Sequence, residues 1–176
     1  MTPEEAEPKE SPLGRYDVDA HDGLYEVHLL NVPLRLLAAS REQHDEVMRE
    51  FAMVALDESF DKAHTPSRFI ELIDILGRRY GAASARPDAE VDAALERGDE
   101  TIDLVYHVPE HVTEAAQQLD ALMTEADEFC RQQHMLALAR PQVLIDFARW
   151  YLDEFTRQVD GQEPRPWGGP LDLESS

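Results

Sequence analysis

The sequence predicts a mostly helical α+β fold, with a small central sheet and helices packed on it. Three observations carry this prediction. Only two stretches alternate apolar and polar residues as strands do, 24–32 and 101–108. Each is followed by long segments with apolar residues at helical spacing. Most prolines and several glycines fall between these segments, which separates the elements. The same order recurs in both halves, so an internal β-α-α duplication is part of the expectation.

The elements follow in order. Residues 1–23 are acidic and proline-containing, with few apolar side chains, and read as a disordered acidic arm. Residues 24–32, LYEVHLLNV, read as a strand that Pro33 ends. Residues 34–56 place Leu37, Val47, Met48, Phe51 and Val54 on a helical stripe. A polar loop is expected over 57–65. Thr65-Pro66 then opens a helix with Phe69, Leu72, Ile73, Leu76 and Tyr80 inward, and Gly81 is placed to end it. Residues 87–97 read as a short surface helix stopped by Gly98.

The stretch TIDLVYHV, 101–108, has the cleanest alternation, with Ile102, Leu104, Tyr106 and Val108 on one face. A long helix is expected over 110–133, and MLALA, 135–139, reads as a short strand. Arg140-Pro141 opens a last helix with Leu144, Phe147, Trp150, Tyr151 and Phe155 inward. A tail with an extended reading fills 161–176. The expected organisation is one globular domain over 24–160, with candidate halves 24–83 and 101–160.

The duplication has a register. A shift of 75 positions superimposes seven identical residues, among them Leu29 on Leu104, Met48 on Met123, Pro66 on Pro141 and Ile70 on Ile145. Apolar positions such as Val47/Leu122 and Tyr80/Phe155 also coincide. Such a repeat implies strands paired at the centre about a pseudo-twofold, with the helices layered on one face.

The 176 residues hold 37 acidic and 16 basic side chains, a net charge of −21. That field repels nucleic acid and anionic membranes and favours a basic partner. A single cysteine, Cys130, precludes an internal disulfide and fits a cytoplasmic setting. The acidic, polar start does not read as a signal peptide, and no stretch is apolar enough to span a membrane.

Candidate sites are few. His107, Glu110 and His111, in HVPEH, have the residue types of a metal set, although Pro109 prevents the two histidines from sharing a helix. The acids of Glu125-Ala-Asp-Glu128 read as a solvated helix face. Cys130 lies on an apolar stripe and reads as a structural thiol. The segment RWYLDEFTRQ offers Arg149, Trp150 and Glu154 as partner-binding candidates, and Trp167 in the tail is a fourth. No nucleophile elbow, phosphate loop or dinucleotide fingerprint occurs, and no cofactor is expected.

Taken together, HDEVMREFAMVAL, IDLVYHVP, LMTEADEFCR, LALARP, RWYLDEFTRQVDG and PRPW resemble an uncharacterised regulatory protein family of high-GC bacteria. That family is found near anti-sigma serine kinase and phosphatase partner-switching modules. The resemblance spans about residues 24–167 and implies a regulator in a sigma-factor partner-switching pathway. The leading expectation is therefore a non-catalytic protein-binding regulator whose partner is another protein, not nucleic acid or a membrane. One alternative is an acidic nucleic-acid mimic acting as a decoy. The other is a small metal-dependent enzyme using His107, Glu110 and His111.

Overall fold

A computed structural model of the protein describes residues 23–56, 64–133, 135 and 138–174. The predicted acidic arm and most of the 57–65 loop lie outside these residues, as does much of the predicted strand at 135–139. Among the described residues the order is β1 (Leu24–Pro33), α1 (Leu34–Leu56), α2 (His64–Arg97), β2 (Thr101–Pro109), α3 (Val112–Gln132) and α4 (Gln142–Val159). This is a mostly helical α+β fold in which β-α-α occurs twice.

The sheet has two antiparallel strands, with Val27 opposite Tyr106 and Leu29 opposite Leu104. The register shifts between Leu29 and Val32, where Asn31 adopts φ 59°. Asparagine tolerates this left-handed backbone better than a branched residue would. The bulge is held by the Asn31 amide N–H donating to Asp103 Oδ1 at 2.7 Å.

Period-two alternation decides which face is covered. Val27, Leu29, Leu104, Tyr106 and Val108 are buried under the helices, together with Leu34, Leu36, Phe147 and Leu144. A second cluster lies between α1, α2 and α3, built from Val47, Phe51, Phe69, Leu122, Ala126 and Cys130. Phe51 makes edge-on contacts there with Phe69 and Phe129, each at 5.6 Å between ring centres.

The packing follows the 75-residue repeat. Helix α1 packs on α2 as α3 packs on α4, and α2 lies against β2 as α4 lies against β1. Leu29 and Leu104 are equivalent under the shift and also face each other across the ladder.

Two predicted boundaries are corrected. Gly81 does not end a helix, and 87–97 is not a separate one, because α2 runs unbroken through Gly77, Gly81 and Pro87. Its apolar stripe resumes beyond Gly81 at Ala83, Pro87, Val91 and Ala94, with Val91 and Ala94 in the main core. That burial offsets the helix penalties of glycine and proline. Helix α2 stops where Gly98, at φ 75°, forms a Schellman cap with Gly98 N–H on Leu95 O and Asp99 N–H on Ala94 O. The described part of 135–139 is also not a strand: Leu138 N–H bonds Met135 O in a turn.

Leu104 is fully buried while Asp103 is exposed and faces the other way. Leu104→Asp should cost several kcal/mol, comparable with a total stability of about 5–15 kcal/mol, and leave the chain largely unfolded. Asp103→Asn keeps an oxygen for Asn31 N–H and should melt close to the parent. Circular dichroism melts of the two variants check this pair.

Candidate partner-binding groove

Helix α4 carries a wide apolar stripe, and its end directs the chain back across the sheet. After Val159, Gly161 at φ 84° repeats the Schellman cap: Gly161 N–H bonds Gln158 O and Gln162 N–H bonds Arg157 O. Residues 162–170 then form an extended strap alongside α4. Trp167 N–H donates to Leu30 O at 3.0 Å, and Asn31 Nδ2 donates to Trp167 O at 2.9 Å. The Trp167 ring meets Phe147 and Trp150, both at 5.5 Å between ring centres. Trp150 Nε1 donates to Arg165 O, and Trp167 Nε1 to Pro170 O. Gly169 packs directly on the Trp167 ring, where an added Cβ would collide with Cζ2.

Beneath the strap sits Glu154, with no exposed surface. Its carboxylate takes Arg157 Nη1 at 2.6 Å, Gln158 Nε2 at 3.0 Å, Arg165 N–H at 3.0 Å and Arg165 Nε at 3.2 Å. Gln158 passes this on to the sheet. Its amide accepts His28 N–H at 2.8 Å and donates to His28 O at 2.7 Å, as a neighbouring strand would.

Strap, α4 and α3 together enclose a groove of about 960 Å³. Ala116, Gln117 and Asp120 line it from α3, residues from Gln142 to Thr156 from α4, and Arg165 to Pro170 from the strap. Val143 and Trp150 give it an apolar floor and Pro166 and Trp167 an apolar wall, while Asp120, Asp146, Asp153 and Arg149 lie along its rim. Asp153 pairs with Arg165 at 2.9 Å and Asp146 accepts from Gln142 at 2.8 Å.

All four partner-binding candidates gather here, in different settings. Arg149 is exposed on the rim. Trp150 and Trp167 are each 7% exposed and form floor and wall. Glu154 lies behind the wall, occupied by internal donors.

The metal candidates are not brought together. His107 is on the uncovered sheet face, 3.4 Å from Glu26, which also pairs with His28 at 2.6 Å. His111 turns instead toward Tyr80, with rings 5.9 Å apart, and its Nε2 is buried with no hydrogen-bond partner among the described residues. Glu110 is exposed in the intervening turn. Among the described residues no group of three or more histidine, cysteine or acidic side chains is placed to hold a metal. No described helix is long and apolar enough to cross a membrane.

Asp127, read from sequence as part of a solvated face, is buried. It pairs with Arg140 at 2.7 Å and also accepts from Arg140 N–H at 3.1 Å, tying the segment before α4 to α3. Cys130 lies one turn on, 1% exposed, and burial pushes its thiol up to about 11. Positions Asp127 and Glu154 both fall on apolar stripes, a spacing signal that could have marked them as interior.

No protein-family model, curated protein or solved structure matches the chain.

Glu154→Ala removes one partner of a buried charged network and should cost about 3–5 kcal/mol. Trp167→Ala should cost a similar amount, about 3–5 kcal/mol, by emptying the slot under the strap. Urea unfolding followed by circular dichroism measures both. At pH 8 the Cys130 thiol should be almost wholly protonated. A disulfide reagent should then label native protein far more slowly than urea-unfolded protein, and equal rates would contradict the burial.

Proposed function

We propose that the chain is a non-catalytic protein-binding regulator and that a segment of its partner docks in the groove between α3, α4 and the strap. The observation that carries this reading is the composition of the groove: an apolar aromatic floor with a charged rim on a rigid helical base. Protein interfaces concentrate buried aromatic anchors at the centre and polar groups around them. The volume, about 960 Å³, is ample for several anchoring side chains. The resemblance to the regulatory family of high-GC bacteria supports placing this activity in a sigma-factor partner-switching pathway.

The test compares two adjacent exposed positions on α3. Gln117 lines the groove, whereas Gln118 lines a different surface depression beside Arg68 and Leu72. Gln117→Phe should fill the groove and abolish co-purification of the partner at native expression. Gln118→Phe should leave it intact, with both variants melting like the parent. Retention of the partner by Gln117→Phe would remove the groove from the reading.

A further inference from the structure

We infer that the groove takes a cationic amphipathic helix of about four turns from the partner protein, a deduction that rests on the docking reading above. Length is the first argument. The α4 lining runs from Gln142 to Thr156, or about 21 Å at 1.5 Å per residue. A helix of about 14 residues covers that distance. The walls are the second. An extended peptide gains its affinity by pairing with a free strand edge, but the β1 edge near the strap is already taken by Gln158 and Trp167. What remains open is a trough between α3, α4 and the strap, with two helical sides against which an amphipathic helix can lay down its apolar face.

Charge is the third argument, and it selects the sign. The lining holds Asp120, Asp146 and Asp153 against Arg149 and Arg165. Arg165 already pairs with Asp153 and Glu154. Arg149 makes no ion pair among the described residues, and neither does Asp120. The whole chain adds a field of −21, which draws cationic segments in and repels anionic ones. Asp146 and Asp153 stand seven residues apart on α4, two turns along one face, with Arg149 between them. The matching helix carries basic residues toward Asp120 and Asp146, a neutral or acidic residue toward Arg149, and leucine-type anchors over Val143 and Trp150.

The experiment uses the full chain and two synthetic 15-residue amphipathic peptides without tryptophan. One is built from leucine, alanine and lysine, and the other replaces lysine with glutamate. The chain's two tryptophans, Trp150 and Trp167, both line the groove, so intrinsic fluorescence reports on the site itself. The lysine peptide should bind saturably at one per chain, at least tenfold tighter than the glutamate peptide, and weaken as salt screens the charges. The double variant Asp120→Asn, Asp146→Asn should weaken it about three- to tenfold, Arg149→Gln should tighten it, and Gln117→Phe should abolish it.

Equal affinity for the two peptides, or preference for the glutamate peptide, would overturn the inference. So would lysine-peptide binding that survives Gln117→Phe, since that is general attraction to an acidic protein. If Gln117→Phe loses the natural partner while the charge variants have no effect on either ligand, the docking site stands and its cationic occupant falls. If Gln117→Phe keeps the natural partner, both fall.

Discussion

The second half of this fold depends on one buried carboxylate. Glu154 sits in the apolar stripe of α4, where an unpaired charge would cost several kcal/mol, a large share of a domain's whole stability. It is tolerated because four donors converge on it from three positions, Arg157, Gln158 and Arg165. Each of those residues then does something else. Gln158 closes the edge of β1 at His28, and Arg165 fixes the start of the strap and braces Asp153 on the rim. The sheet edge, the strap and one wall of the groove thus share an electrostatic centre. A single exposed ion pair contributes little, but a desolvated network with every lone pair engaged specifies one arrangement.

The 75-residue correspondence shows why the first half does not repeat this groove among the described residues. Under the 75-residue shift Gln158 corresponds to Ala83, and Trp167 corresponds to Asp92. Ala83 has no amide to imitate a strand, and Asp92 is an exposed partner of Arg41 rather than an aromatic plug. In the first half the chain continues as helix where the second half breaks out of α4 at Gly161 and becomes a strap. The halves share packing order and differ at the groove: the shared parts answer to the core, and the differing parts make the strap.

How much was legible in sequence follows from the range of the interactions. Alternation in TIDLVYHV and the stripes of α1, α3 and α4 are local signals, and each gave its element within a residue or two. Helix α2 reads as broken at Gly81 because glycine and proline penalties are local, while the burial of Val91 and Ala94 that outweighs them comes from tertiary packing, α2 lying against α1 and β2. Asp127 and Glu154 were placed outside for a related reason. A carboxylate is read as solvated unless its donors are known, and Arg140 and Arg165 stand 13 and 11 residues away across a chain reversal. Arg149, Trp150 and Trp167 line one groove, and Glu154 lies behind it, bonded by internal donors. What the sequence lacked was the strap's path, which decides that Trp150 and Trp167 form floor and wall while Arg149 alone projects.

The groove and the strap are one equilibrium. Pro166 to Pro170 form a wall, so the site exists only while Trp167 is docked between Phe147 and Trp150. The close contact between Gly169 and the indole ring makes that docking sterically narrow, since any side chain at 169 would displace the ring or the wall. An occupant that binds the closed groove and not the released strap must therefore stabilise the strap by mass action, in proportion to the logarithm of its concentration over its dissociation constant. The reverse also holds, because linkage is reciprocal: whatever loosens the strap weakens the occupant by the same factor. Glu154 lies at that junction, remote from solvent and in line with both. Through it, the wall of the groove is coupled to the packing of the central sheet, and no separate hinge or lid is required.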